Sequence, residues 1–477
     1  MGLDLFPAGL GSDRLLAVDD AGARLYGRDL DAACAALSMA MGGRALVFLL
    51  CRNEPGTLLG YLGCLRCGAV PLLLSSHISP ALLRELAETY RPNFYCVPQD
   101  LPAEIRAVLP DTAPLLELRG SVLIPGSGAE RCPLHPELAL LLTTSGSTGS
   151  PKLVRLSGRN LVSNAASIAQ YLGLDADERP ITTLPLHYSY GMSIINSHML
   201  AGAPVLLTTH GILEREFWYM VRQEVATSLA GVPYTYQMFH RLGLTSMELP
   251  RLRYLTQAGG MLSPELQEEF AAWAARTGRR FYVMYGQTEA APRMSYLPPE
   301  RAIEKSGSIG IPIPGGQFRL EDAGGGEITS PDTTGELIYY GENVAMGYAR
   351  RLSDLSRGDE WRGRLATGDM VRRDRDGFYY ITGRKKRFVK LFGNRVNMDE
   401  VERLLSAQFP GVGFACAGRD DLLCIYTDSR DPAIPAAALR YISEETRLSP
   451  KAFRVQVIDT IPKNESGKTL YSALLVE

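Results

Sequence analysis

TTSGSTGSPK, Thr143 to Lys152, holds nine small, hydroxylated, glycine or proline residues and one lysine. Glycine lets a backbone approach closely and adopt positive φ, so successive N–H groups can converge on an anion. Hydroxyls add donors and the lysine adds charge. The same composition also suits a mobile surface loop, and the stretch alone leaves both readings open. Its flanks narrow the choice of fold. ELALLLT (137–143) and KLVRLS (152–157) are apolar runs that predict strands. Ser157 then caps a helix running to about Leu172, with Gly173 as its stop. The loop therefore joins two strands. A Walker A loop joins a strand to a helix and reads GxxxxGK[ST]. Here Lys152 follows a proline, and neither Ser nor Thr follows it.

Outward from this loop the pattern alternates. RALVFLL (44–50) reads as a buried strand, PGTLLGYLGCLRC (55–67) as a helix with Pro and Gly at its start, and AVPLLLSS (69–76) as a strand. Such alternation predicts α/β architecture with a largely parallel sheet. Later, ELIYYG (336–341) and DMVRRDRDGFYYITG (369–383) predict strands, with a tight hairpin at Asp376-Gly377. A basic burst, RKKRFVK (384–390), follows. MDEVERLLSAQF (398–409) and AALRYISEETRL (437–448) have helical spacing, and LLCIYT (422–427) is strand-like. The last 90 or so residues thus predict a small α+β unit, with a boundary near 383–387.

The length of 477 residues implies more than one domain. Fifty basic against 52 acidic residues give a net charge of −2, without the basic stripe that nucleic acid or an anionic membrane attracts. No apolar run approaches the roughly 20 residues of a membrane span. The first residues, MGLDLFPAGLGSDRLL, show no secretion signal. The eight cysteines are scattered; Cys64-Leu-Arg-Cys67 reads as two buried thiols on a helix, since no second ligand pair follows. The reading is a reduced, cytoplasmic protein.

Four further stretches carry chemistry. YGQTE, Tyr285 to Glu289, offers an aromatic face for a base, a threonine for phosphate and a carboxylate for Mg²⁺. TGD, Thr367 to Asp369, offers a carboxylate that can accept from both hydroxyls of a ribose. GRKKRFVKLFGNRV spans 383–396, and NESGKT spans 464–469. SGKT resembles the end of a Walker A loop, but Pro462 stands where its first glycine belongs, and no apolar strand runs into it.

These five stretches, in this order, resemble the adenylate-forming superfamily of acyl-CoA synthetases, aryl-acid ligases, peptide-synthetase adenylation domains and firefly luciferase. The similarity runs from about Leu62 to Lys468 and includes AGGM (258–261) and GELIYYGENVAMGY (335–348). It implies a large N-terminal α/β AMP-binding domain with several sheets, residues 1–383. It also implies a small mobile α+β domain, residues 384–477, with a hinge near Lys386 and the active site between the two. It further implies two half-reactions: attack of a carboxylate on the α-phosphate of ATP, releasing pyrophosphate, then transfer of the acyl group from AMP to a thiol. That thiol is CoA or a carrier-protein phosphopantetheine in trans.

Residue roles follow from the same resemblance. Thr144, Ser145, Gly146, Ser147, Thr148, Gly149 and Lys152 would hold the β- and γ-phosphates. Tyr285 and Gly259 would flank the adenine, with Gly286 beside them. Thr288 would contact the α-phosphate, Glu289 would bind Mg²⁺, and Asp369, with Arg384 nearby, would accept the ribose hydroxyls. Lys468 would meet the carboxylate and the α-phosphate. His187, Tyr188, Val232, Gly260 and Gly286 would border the acyl group, although His187 and Tyr188 could equally be core. Tyr471 stands where many members carry a basic residue.

HYSYGMS (187–193) lacks the Asp that amino-acid-activating members use to pair the substrate ammonium. A buried ammonium without a counter-charge is costly. The expected substrate is an aryl or short to medium aliphatic acid. Arg293 could pair with a second acidic group, or be structural or exposed. Three alternatives remain: a stand-alone amino-acid adenylation enzyme loading a carrier protein, a non-catalytic nucleotide-binding protein on the same fold, and a P-loop phosphotransferase.

Overall fold

A computed structural model describes residues 12–126, 128, 133–143, 152–385, 387–392, 394–419, 421–463 and 469–474. The phosphate-loop residues Thr144 to Gly149, the hinge Lys386 and Lys468 lie outside them.

The apolar runs become strands where expected. The larger sheet has eight, in the order Gly347–Ala349, Leu153–Ser157, Leu138–Thr143, Val70–Ser75, Leu46–Cys51, Phe94–Pro98, Ser121–Pro125 and Leu116–Leu118. The central four, from Leu138–Thr143 to Phe94–Pro98, are parallel. Antiparallel strands extend the sheet on both sides, so it is mixed. All six residues of Leu46–Cys51 are buried, as a strand covered on both faces requires. The helix Pro55–Cys67 begins on its proline and stops at Gly68, whose φ is 81°. Its Gly56 lies so close to the neighbouring chain that a Cβ would sit 2.2 Å from the Leu118 carbonyl oxygen. The helix Gly158–Leu172 is capped by Ser157, whose Oγ accepts from the Asn160 N–H, and Gly173 ends it.

A second sheet has the order Ser228–Gly231, Tyr254–Gln257, Arg280–Gly286, Arg293–Leu297 and Ile311–Pro312. Its first three strands are parallel and the rest antiparallel. The helix Ser189–Ala201 contributes Tyr190 to the apolar cluster that also holds Ala230, Tyr254 and Met284 of this sheet.

The chain divides into two compact units, Met1–Gln317 with Tyr340–Leu365, and Phe318–Tyr339 with Ala366–Glu477. Both sheets above belong to the first. In the second, the strands Arg364–Arg373 and Tyr379–Arg384 form the expected antiparallel hairpin. A three-stranded sheet, Phe414–Arg419, Leu422–Thr427 and Phe453–Val457, shares a core with the helices Met398–Gln408 and Ile434–Thr446 through Val401, Leu405, Ile425 and Ile442. Tyr471 donates to Glu402 Oε2 at 2.9 Å, and its ring lies 3.5 Å beneath the Arg387 guanidinium. Arg387 in turn pairs with Asp399 and Glu402.

The seven described cysteines are free; Cys64 is buried and Cys67 half-buried. No described helix is long and apolar enough to cross a membrane.

Arg155, fully buried in Leu153–Ser157, donates to the carbonyls of Met346 at 3.0 Å and Gly358 at 3.2 Å, and to that of Arg357. It also pairs with the half-exposed Glu360. Replacing it with methionine keeps the bulk but leaves these acceptors without a donor. Arg155→Met is expected to cost about 3 kcal/mol, read as a lower urea midpoint; an unshifted midpoint would show that water satisfies the carbonyls equally well.

Candidate active site

The first unit carries the YGQTE stretch on a tight connection between two antiparallel strands. Gly286 pairs with Arg293 across them. A Cβ on Gly286 would lie 2.1 Å from the Pro292 carbonyl oxygen, so the close approach requires glycine. The same carbonyl accepts from the Gln287 N–H at 2.9 Å. Buried amides clamp the connection from outside. Asn343 Nδ2 donates to the carbonyls of Ala290 at 2.6 Å and Arg293 at 2.8 Å, and Asn164 Nδ2 donates to the latter at 3.0 Å. The Glu289 carbonyl accepts from the Ala345 N–H at 2.9 Å.

Thr288 and Glu289 are thereby held half-buried at the head of the connection. Thr288 Oγ1 lies 3.2 Å from Ser189 Oγ, at the first residue of Ser189–Ala201. Glu289 Oε1 accepts from the Tyr348 hydroxyl at 2.7 Å. Lys152 Nζ stands 4.1 Å over the Tyr348 ring, and Trp361 meets that ring edge-on at 4.9 Å. Burial and the Glu289 carboxylate both push the Tyr348 hydroxyl well above its usual pKa, so it remains a donor. The carboxylate and hydroxyl oxygens offered here are the hard donors that Mg²⁺ takes.

Of the residues expected around the acyl group, Tyr188 and Val232 both pack against Gly259. Gly259, at φ 87°, lies where a Cβ would be 2.7 Å from the Tyr188 hydroxyl and 3.0 Å from Val232 Cγ1. A Cβ on the exposed Gly260 would meet Pro233 at 3.1 Å. Buried Gln257 holds this turn by donating to the Gly260 carbonyl at 2.9 Å. Tyr285, half-buried, accepts from Gln287 Nε2 at 3.3 Å. His187 is half-buried, and burial lowers its pKa to about 4, with His77 adding to the effect. Asp369 belongs to the second unit. It is 4% exposed at its side chain and pairs with Arg384 at 3.2 Å. The TGD turn is fixed by Thr367, which accepts from the Asp369 N–H at 3.1 Å and donates to Leu337 at 2.8 Å.

The sequence reading assigned no part to Ser189, Asn343, Asn164 or Gln257. Tyr348 lay inside a quoted motif, but without a role. Nothing in the local pattern distinguishes these residues, because each acts on a segment distant in the chain. Arg293 is buried, not exposed.

Comparison with known proteins places the chain in a family. Residues 11–349 match the family model described as AMP-binding enzyme. An indoleacetate–CoA ligase from Aromatoleum aromaticum is 28% identical over 79% of this chain and 76% of its own length. A long-chain-fatty-acid–CoA ligase from Escherichia coli O157:H7 is 30% identical over 71% of this chain and 61% of its own length. The o-succinylbenzoate CoA synthetase of Bacillus subtilis, solved with its acyl-adenylate, superposes with a TM-score of 0.79 at 22% identity, over 98% of this chain and 96% of that one; this is a likeness of fold. The chain belongs to the AMP-binding enzyme family. It is an adenylate-forming carboxylate ligase by class, as the ordered motifs led one to expect.

Two outcomes follow. Gly286→Ala should displace the Pro292 carbonyl and with it Thr288 and Glu289; activity and melting temperature should both fall, and an unaltered rate would show that the turn yields harmlessly. His187 and His198, both lowered to about 4 by burial, stay neutral where an unfolded histidine takes up a proton. Between pH 6.5 and 4 the unfolded chain binds more protons, so stability falls as pH falls. Melting temperature against pH should therefore slope more gently for His187→Gln than for the native chain; equal slopes would remove His187 from that balance.

Proposed function

We propose that this enzyme activates a carboxylic acid with ATP, releasing pyrophosphate and forming an acyl-adenylate, and then passes the acyl group to CoA. The Glu289–Tyr348–Lys152 cluster beside Thr288 is the observation that carries the reading. It gathers a carboxylate for a cation, a hydroxyl for phosphate and a lysine for charge on one side of the first unit. The relatives are named CoA ligases, which favours CoA over a carrier protein as acceptor.

Residues are assigned accordingly. Thr144 to Gly149 and Lys152 hold the β- and γ-phosphates. Tyr285, Gly286 and Gly259 border the adenine, and Asp369 with Arg384 takes the ribose hydroxyls. Glu289 would hold Mg²⁺, which there supplies neutralisation of phosphate charge. Thr288 donates to the α-phosphate, and Lys468 steadies the acid carboxylate as it meets that phosphate. Both partners are anions, so preorganised donors and cations lower the barrier by stabilising charge as it develops. Tyr188, Val232, Gly260 and His187 border an aryl or short to medium aliphatic acyl group. Neutral His187 presents no charge to it. Residues 384–477 act as the mobile domain about Lys386, which a few loop residues suffice to swing. The free thiols support a reducing compartment, the cytoplasm.

The test is acid-dependent ATP–pyrophosphate exchange across a panel of aryl, aliphatic and amino acids. Exchange with aryl or aliphatic acids is expected. Thr288→Ala should lower it by on the order of 100- to 1000-fold, the usual cost of one lost transition-state donor. Lys468→Ala should abolish exchange yet spare thioester formation from supplied acyl-adenylate. Exchange confined to amino acids would refute the substrate reading, and equal loss of both half-reactions in Lys468→Ala would refute the role of that lysine.

A further inference from the structure

We propose that the acid this enzyme activates carries a second anionic group, and that Arg293 pairs with it. The proposal rests on the acid-activating reading above and narrows it. Arg293 is 2% exposed, among the largest fully buried side chains of the protein. Its Nε makes no hydrogen bond, and no described carboxylate pairs with its guanidinium. The charge lies 4.6 Å from the centre of the Tyr190 ring. A cation removed from water without a counter-ion is costly, and one aromatic face offsets only part of that cost. The backbone does not need the side chain, because Asn164 and Asn343 already hold the Arg293 carbonyl.

The surroundings indicate where an anion would sit. Arg293 lines a buried cavity of about 20 Å³ together with Tyr190, Ser193, Thr256 and Met284. That is room for about one water, the scale of a single oxygen of an oxyanion. Tyr190 donates its hydroxyl to Thr256 Oγ1 at 2.8 Å, and Ser193 donates to the Tyr190 carbonyl at 2.8 Å. Both wall residues belong to the helix whose first residue, Ser189, touches Thr288. At 1.5 Å rise per residue, Ser193 lies about 6 Å along the axis from Ser189. An acid reacting beside Thr288 would reach this cavity with a chain of a few carbons. Arg293 also stands directly across the strand pair from Gly286. A guanidinium matches a carboxylate or sulfonate through paired N–H donors.

The experiment compares matched acids in exchange and in binding. Succinate, glutarate, adipate and 3-sulfopropionate are set against butyrate, valerate and hexanoate. Native protein should favour the dianions, and Arg293→Met should lower the ratio of dianion to monoanion kcat/KM by on the order of 100-fold. Arg293→Lys, which keeps the charge and guards against a merely misfolded variant, should retain part of the preference. In parallel, thermal upshift by each acid is recorded for the three proteins without ATP. A dianion upshift lost in Arg293→Met upholds the pairing even if no acid supports exchange, in which case the adenylation reading fails alone. Exchange with monoacids but neither exchange nor upshift with dianions overturns the pairing and leaves the adenylation reading standing. Equal loss for both classes in Arg293→Met reduces Arg293 to a structural residue. Preference for succinate over 3-sulfopropionate, or the reverse, separates carboxylate from sulfonate.

Discussion

The close approach at Gly286 is the constraint on which the described site depends. Two antiparallel strands are joined there by a connection that carries Thr288, Glu289 and, at its far end, Arg293. No side chain at 286 could pass the Pro292 carbonyl. The connection is short and polar, and its backbone groups are satisfied from neighbouring segments. Asn164 comes from the helix Gly158–Leu172, and Asn343 and Ala345 from a loop about 50 residues later. Buried backbone groups need partners, and these amides supply them while fixing the connection's position. A hydroxyl and a carboxylate on an unsupported loop would be too loosely placed to favour one geometry over another.

Charge organises the rest. Lys152 rests on the face of Tyr348, and the hydroxyl of Tyr348 binds Glu289. One tyrosine thus meets a cation on its ring face and an anion at its hydroxyl. The ring keeps the lysine aligned by its negative face and leaves the second carboxylate oxygen available. Arg293 is the contrasting case, a buried cation with an aromatic face and no carboxylate partner among the described residues. In the second unit, Tyr471 occupies a position where a basic residue is common in the family. It accommodates that difference by stacking on Arg387 and binding Glu402, which burial holds above its usual carboxylate range.

Much of the fold was legible because its signals are local. Pro55 and Gly68 bracket one helix, Ser157 and Gly173 another, and the apolar runs 44–50 and 137–143 became strands within a residue or two. The mixed character of the eight-stranded sheet was not legible. Strand direction depends on which distant segments pair, and Gly347–Ala349 joins the sheet nearly 200 residues after its neighbour. Tyr188, Val232 and Gly259 each sit in a recognisable stretch, but that Gly259 packs against the other two is seen only in the fold.

The supporting residues were hidden for one physical reason. Asn343, Asn164 and Ser189 act by hydrogen bonds to atoms 50 to more than 120 residues away, and an asparagine in a helix or loop carries no sign of which carbonyl it will meet. Arg293 shows the same limit more sharply. In the sequence it follows a proline after a polar motif, a setting typical of the surface. Its burial is decided by the strand pairing with Gly286 and by the cluster around Tyr190, neither of which is local. A charge moved inside by tertiary pairing, with no carboxylate partner among the described residues, is a feature only the folded chain reveals.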